Sequence, residues 1–168
     1  YPNAPQKYAI SSAGQRLEQW RLAIRFIEQR PISGWGISGY PQAKQKLVDQ
    51  GLADPSVMEY GHAHNEILDM WVKRGLLGLV LLLLFYAIPA CIFWPTKKRL
   101  ARALPEDRSK LLALRAAAAL LPLAYFGFGW TQVFFAHNSG HVFYIFSLAV
   151  LWGGICQLEA GSTPATQA

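Results

Sequence analysis

Nineteen consecutive residues from Leu76 to Trp94, LLGLVLLLLFYAIPACIFW, contain no charged side chain. As a helix they rise about 28 Å, close to the roughly 30 Å thickness of a bilayer's hydrocarbon core. Trp94 ends the run as an aromatic at headgroup level, and Pro95 follows at once. Two more uncharged runs lie downstream, Ala116–Phe135 and Val142–Leu158. Pro122 falls inside the first of these, which a membrane helix tolerates when its neighbours satisfy the freed carbonyl. The second has seventeen residues, at the short limit for a span. The expected fold class is therefore all-α: a polytopic membrane protein with three transmembrane helices at about 76–94, 116–135 and 142–158.

The charges around these runs give an orientation. Residues 95–115 hold seven basic side chains (Lys97, Lys98, Arg99, Arg102, Arg108, Lys110, Arg115) against Glu106 and Asp107, five of the net charge of +6. A basic cluster between two apolar runs is the positive-inside signature, so 95–115 is expected on the cytoplasmic side. Nucleic acid is not an expected partner. The segment before Leu76 and the loop Ala136–His141 then face the other side. Residues 159–168, a Ser/Thr/Ala/Pro-type tail, are expected to be cytoplasmic and disordered. Cys91 and Cys156 both sit in apolar runs and read as packing residues. Tyr1-Pro2-Asn3 is no signal-peptide start, and the chain is expected to be the C-terminal part of a longer protein.

Residues 1–66 are polar and broken by Gly and Pro, and are expected to form one large extracytoplasmic loop. Within it Gly14–Arg30 reads as a helix, with Ser11, Ser12 and Gly14 as start signals and Pro31 as the stop. Leu17, Trp20, Ile24 and Ile27 fall on one side of its wheel, with Arg16 at the edge of that arc. Ser33–Tyr40 is a Gly-rich turn, Pro41–Gln50 a short helix ended by Gly51, and His62–Arg74 a nearly continuous helix into the first span. Gly34-Trp35-Gly36-Ile37-Ser38-Gly39 fits G-x-G-x-x-G, but a helix and Pro31 precede it where a dinucleotide site needs a strand. A tight turn is the better reading.

His62-Ala63-His64-Asn65-Glu66 is the densest polar cluster. Its readings are acid/base chemistry, for which imidazole is suited near neutral pH, a structural role at headgroup level, and a metal site. Helical geometry would point His62 and His64 about 200° apart, which disfavours metal. His137-Asn138-Ser139-Gly140-His141 is a second cluster, read as a loop or interface feature or as part of a substrate pocket. Arg16 suits bidentate phosphate binding, or snorkels from the edge of the apolar stripe.

Two stretches together resemble the O-antigen ligase and polymerase superfamily of bacterial inner membranes. The first is Arg16-x-x-x-Trp20 leading through Arg30-Pro31 into Gly34-Trp35-Gly36-x-x-Gly39-Tyr40. The second is His64-Asn65, nine residues, then Gly75-Leu76-Leu77-Gly78, which fits the ligases' His-[Asn/Ser/Gln]-x9-Gly-x-x-[Gly/Thr/Tyr] pattern. The resemblance runs from about residue 14 to residue 80 and implies a GT-C-like glycosyltransferase of the inner membrane, working on the periplasmic face. Its donor would be O-antigen on undecaprenyl pyrophosphate, and its acceptor a sugar hydroxyl of lipid A-core. It implies that His64 is the catalytic base and Arg16 the pyrophosphate-binding guanidinium. His62, Asn65 and Trp20 are expected to line the substrate site. No metal or other cofactor is implied. The expected partners are the lipid-linked donor, the lipid A-core acceptor, membrane lipids and the N-terminal remainder of the protein. Gly75 and Gly78 are expected to let the first span pack closely on another helix. An O-antigen polymerase or a protein O-oligosaccharyltransferase of the same superfamily is the close alternative. A non-enzymatic transporter or scaffold subunit is the alternative of another class, although a transporter would be expected to carry charges within its spans.

Overall fold

The computed structural model describes residues 12–161. Among them the regular elements are helical: α1 (Ser12–Gln29), α2 (Gly39–Asp49), α3 (Glu66–Phe93), the short α4 (Lys97–Leu100), α5 (Arg108–Phe128) and α6 (Asn138–Ala160), with 3-10 turns at Pro55–Met58, Pro105–Asp107 and Phe134–Ala136. Ser11 and residues 162–168 of the tail lie outside the described residues. Three helical segments, Glu66–Phe93, Pro105–Phe128 and Asn138–Ala160, are long and apolar enough to cross a membrane. The chain is an all-α polytopic membrane protein. It divides into two compact units, one of residues up to Leu83 with Phe128–Ala136, the other of Leu84–Gly127 with the residues from His137 onward.

The first unit is built on α1, α2 and the start of α3. Its core is Leu22, Ala23, Phe26 and Ile27 from α1, Tyr40 and Ala43 from α2, then Val57, Ala63 and Val72. This corrects the face assigned to α1 from its periodicity. Leu17 and Ile24 are exposed, and the buried face carries Gln19, Leu22, Ala23 and Phe26 instead, with Ile27 shared by both. The reason is that Gln19 goes inside with a polar partner, the ammonium of Lys44, which a rule that sorts by hydrophobicity cannot foresee. Phe26 anchors the core, edge-on to Trp35 (centroids 5.1 Å apart) and to Tyr40 (5.7 Å). Burial of such a ring is worth about 1.5–3 kcal/mol.

The segment into the first span also differs from expectation. The helix begins at Glu66, so His62–Asn65 are loop, and Gly75 breaks it with φ 66 and ψ −163. The break arises because the Gly34 turn packs against this point. Trp35 N–H donates to the Val72 carbonyl and Gly36 N–H to the Lys73 carbonyl, each at 2.8 Å. Leu76 N–H donates to the Ile32 carbonyl at 3.1 Å, and the Trp71 indole to the Pro31 carbonyl at 2.9 Å. Gly34 and Gly36 both have positive φ, as a tight turn requires. Gly75 thus makes room for the Ile32–Ser33 backbone. Gly78 accommodates the Arg74 side chain of its own helix.

The second unit has a core of Phe93, Ala103, Leu111, Ala118, Ala119 and Ile155, with Leu100 packed against it. Thr96 caps α4 by accepting the Arg99 N–H at 3.3 Å. Arg99 turns back to donate to the Cys91 and Trp94 carbonyls at 2.7 and 2.9 Å, satisfying acceptors that the end of α3 leaves open. α5 begins inside the basic stretch, at Arg108, and ends at Phe128, so residues 129–135 of the apolar run form a non-helical segment and a turn. Leu77, Phe143 and Phe146 are among many large apolar side chains left exposed on α3 and α6, as helices in contact with lipid or with further spans require.

Candidate active site

The loop Tyr60–Asn65 gathers the candidate chemistry, and His64 is its most constrained residue. His64 has φ 52, the one non-glycine among the described residues in the left-handed region. Such a conformation costs about 1–3 kcal/mol and persists only where the surroundings enforce it. Here they do. On one side the buried Asp69 carboxylate accepts the Ala63 N–H at 2.9 Å and is itself paired with Lys73 at 2.8 Å. On the other side Asn65 caps α3, its Oδ1 accepting the Leu68 N–H at 3.0 Å. The Trp20 indole N–H donates to the His64 carbonyl at 3.4 Å.

The rings close over one another. The His62 and His64 centroids are 4.4 Å apart and nearly perpendicular, and Tyr60 stands 4.4 Å from His64 in the same edge-on manner. The helical geometry that separated the two histidines does not apply, because both lie before the first turn of α3. His62 Nδ1 accepts the backbone N–H of His64 at 3.3 Å. No group of three or more potential metal ligands forms among the described residues. His64 Nδ1 is shielded from solvent and has no hydrogen-bond partner among the described residues.

Electrostatics favour a neutral His64. Its pKa is held below the ordinary imidazole value, first by burial, then by the positive charges of Arg16 and Lys44, with Asp69 opposing them. An imidazole that stays unprotonated through neutral pH can accept a proton from a hydroxyl. Arg16, half-buried on the first turns of α1, is near enough for its charge to act on that ring.

Lys44 had no signal in the sequence, since a lysine on a short helix normally faces water. It is fully buried. Its ammonium donates to Gln19 Oε1 at 3.2 Å, to the Val57 carbonyl at 2.8 Å and to the Tyr60 carbonyl at 2.5 Å. Three acceptors for three N–H bonds explain how the charge survives inside, and the last holds the residue whose ring packs on His64. Burial and the nearby Lys73 push its pKa down to about 8. Burial likewise raises the pKa of Tyr40.

The remaining polar groups of the motif do structural work. Asn65 is buried, and besides capping α3 its Nδ2 donates to the Trp130 carbonyl at 3.1 Å. Glu66, also buried, donates its N–H to the Gly129 carbonyl at 2.7 Å and accepts the Phe135 N–H at 3.0 Å. Together they fasten the segment after α5 to the start of α3. Arg16, Trp20, His62, His64 and Asn65 all belong to this first unit. His137 and His141 belong to the other, where His137 precedes α6 and its carbonyl meets His141 Nδ1 at 3.2 Å. The sequence singled out the five residues of the first unit but missed Lys44, Tyr60 and Asp69. For Asp69 the only available signal was an acidic residue in the first turn of a helix.

The comparisons with known proteins bear on the same segment. Residues 7–83 match the profile of a family described as O-Antigen ligase. An uncharacterized protein of Haemophilus influenzae is 33% identical over 134 residues, 80% of this chain and 32% of that protein. The chain thus spans about a third of the length of that relative. Every group described around His64, apart from the Gly129–Phe135 segment, lies inside the residues that match the O-antigen ligase family model.

Proposed function

We propose that this chain is the catalytic C-terminal part of an O-antigen ligase, which moves O-antigen from undecaprenyl pyrophosphate to a sugar hydroxyl of lipid A-core on the periplasmic face of the inner membrane. The observation that carries the reading is His64: a partly buried imidazole in an enforced backbone conformation, its pKa lowered by burial and by the Arg16 charge, at the histidine whose spacing to Gly75 and Gly78 resembles the ligase pattern. In the proposed step the acceptor hydroxyl oxygen bonds to the anomeric carbon of the donor. The bond from that carbon to the pyrophosphate oxygen breaks, and its electron pair leaves with the pyrophosphate. The hydroxyl proton passes to His64. Arg16 meets the charge that develops on the leaving group. Trp20, His62 and Tyr60 orient the imidazole. Asn65, with both ends of its amide engaged, acts by fixing the loop. A polymerase of the same superfamily would use the same chemistry on a different acceptor.

The test uses the full-length protein in membranes, supplied with lipid-linked O-antigen and either purified lipid A-core or unfinished repeat units on carrier lipid. Sugar transfer to lipid A-core that disappears in His64→Ala, while the variant still inserts, supports the proposal. Transfer only to the lipid-linked repeat units makes the protein a polymerase. Unimpaired transfer by His64→Ala removes the histidine from the mechanism.

A further inference from the structure

The second unit holds a charged cavity that the transfer reaction does not use. Arg99 and Arg102, Arg115 from α5 and Glu159 from α6 converge on a space of about 220 Å³, closed on its apolar side by Ile92, Phe93 and Trp152. Among the described residues that line it, three guanidiniums and one carboxylate give a net charge of +2. Arg115 is 4% exposed and is the most deeply placed. One of its terminal nitrogens donates to Glu159 and the other to the Ile92 carbonyl at 3.4 Å, but its buried Nε has no hydrogen-bond partner among the described residues. Arg102 approaches the same carboxylate only to 3.8 Å and is half in solvent. A buried donor without a partner among the described residues, in a lining of net positive charge, suits an anionic acceptor with several oxygens.

The cavity continues into an apolar groove of about 590 Å³ between α3 and α6, sharing Ile92, Phe93 and Trp152 with it. Phe85, Ile88 and Pro89 form one wall, and Leu148, Ala149 and Gly153 the other. From Phe85 to Phe93 the groove follows about 12 Å of helix, the scale of a hydrocarbon chain segment. A Cβ added at Gly153 would meet nothing within 4 Å, so the groove is open there.

We propose that this cavity and groove bind one anionic glycerophospholipid, its phosphate among Arg99, Arg102 and Arg115 and an acyl chain along Phe85–Phe93, in the leaflet next to the basic segment Lys97–Lys110. Charge selects the occupant. An apolar helix would fill the groove but offer no acceptor to the buried Arg115 Nε, and free phosphate would leave the groove empty. Basic pockets between membrane helices characteristically take acidic headgroups, each cation contributing about fivefold in affinity.

The experiment is native mass spectrometry of the full-length protein in a mild detergent, titrated with phosphatidylglycerol, phosphatidylcholine of the same chains, and inorganic phosphate. The expected result is one phosphatidylglycerol bound at least about tenfold more tightly than phosphatidylcholine, with no competition by millimolar phosphate. Arg102→Gln is expected to cut that preference about fivefold. Gly153→Leu, which extends into open space and suits a helix better than glycine, is expected to abolish binding of both lipids without loss of melting temperature. Equal binding of the two lipids, displacement by phosphate, or binding indifferent to Gly153→Leu would each overturn the proposal. So would a full-length protein that binds no lipid at all.

Discussion

Gly34 and Gly75 meet backbone to backbone: a Cβ added to Gly34 would lie 2.5 Å from the Gly75 nitrogen, and both residues have φ 66. Forty-one positions apart in the chain, they form the joint between the Gly-rich turn and the break in α3. The first glycines of the two sequence stretches thus have one physical cause, since neither site has room for a side chain or the backbone angles for one.

Gly75→Ala is expected to be severely destabilising, by about 3 kcal/mol or more, because a left-handed alanine must also displace the Ile32–Ser33 backbone. Gly51→Ala is the control. Gly51 has φ 69 but open space around it, so the backbone alone sets the cost, at about 1 kcal/mol. Thermal melting of the two variants in detergent gives the comparison, and equal losses would show that the close approach is unimportant.

With His64 as the base of the proposed transfer, its depressed pKa is expected to set the acid limb of that activity. The neutral base persists below the ordinary imidazole range of about 6.5 and is lost as the pH falls through the lowered value. The stability sign agrees. The unfolded chain takes up this proton first, so the contribution is whole above the unfolded pKa and lost on acidification through that range. Since the Lys44 charge is one cause of the shift, Lys44→Met is expected to move the acid limb of kcat to higher pH. An unmoved limb in a variant that still folds would disconnect Lys44 from His64.

Lys44 itself is expected to set the alkaline limb of the proposed transfer. With its pKa near 8, it becomes a neutral amine as the pH rises past that value and then has two N–H bonds for three acceptors. Activity is expected to fall above about pH 8 as the Tyr60 carbonyl is released and the loop loosens. A rate profile flat to pH 9.5 would contradict this.

Glu66→Gln keeps an acceptor for the Phe135 N–H and is expected to be mild, whereas Glu66→Ala leaves that N–H without its partner, at a cost of about 1–3 kcal/mol. Hydrogen exchange of Gly129–Ala136 measures it, with faster exchange expected in the alanine variant alone.

Arg16→Lys keeps the charge and loses the planar fork. If Arg16 holds the pyrophosphate in a bidentate manner, transfer is expected to drop about tenfold or more while His64 keeps a depressed pKa. Full activity of the lysine variant would leave Arg16 a purely electrostatic role.

The membrane class was legible because it rests on runs of apolar residues, which depend on no tertiary contact: the uncharged stretch from Leu76 and the basic cluster after Trp94 suffice. The candidates His64 and Arg16 came from the resemblance of their motifs to the ligase superfamily, with the residue chemistry alone leaving their roles open. What periodicity misassigned was the buried face of α1, because Gln19 is buried by Lys44, a partner twenty-five positions away. The loop at His62–His64 was equally beyond local rules. Its start is set by the Asn65 cap and the Asp69–Ala63 bond, and its strained His64 by Trp20 and Lys44 on other helices. The sequence by itself determined which segments are apolar enough to span a membrane and where its polar residues concentrate. Only the tertiary structure decided which polar groups go inside and what holds the imidazole, because burial of a charge depends on acceptors that the fold supplies from distant parts of the chain.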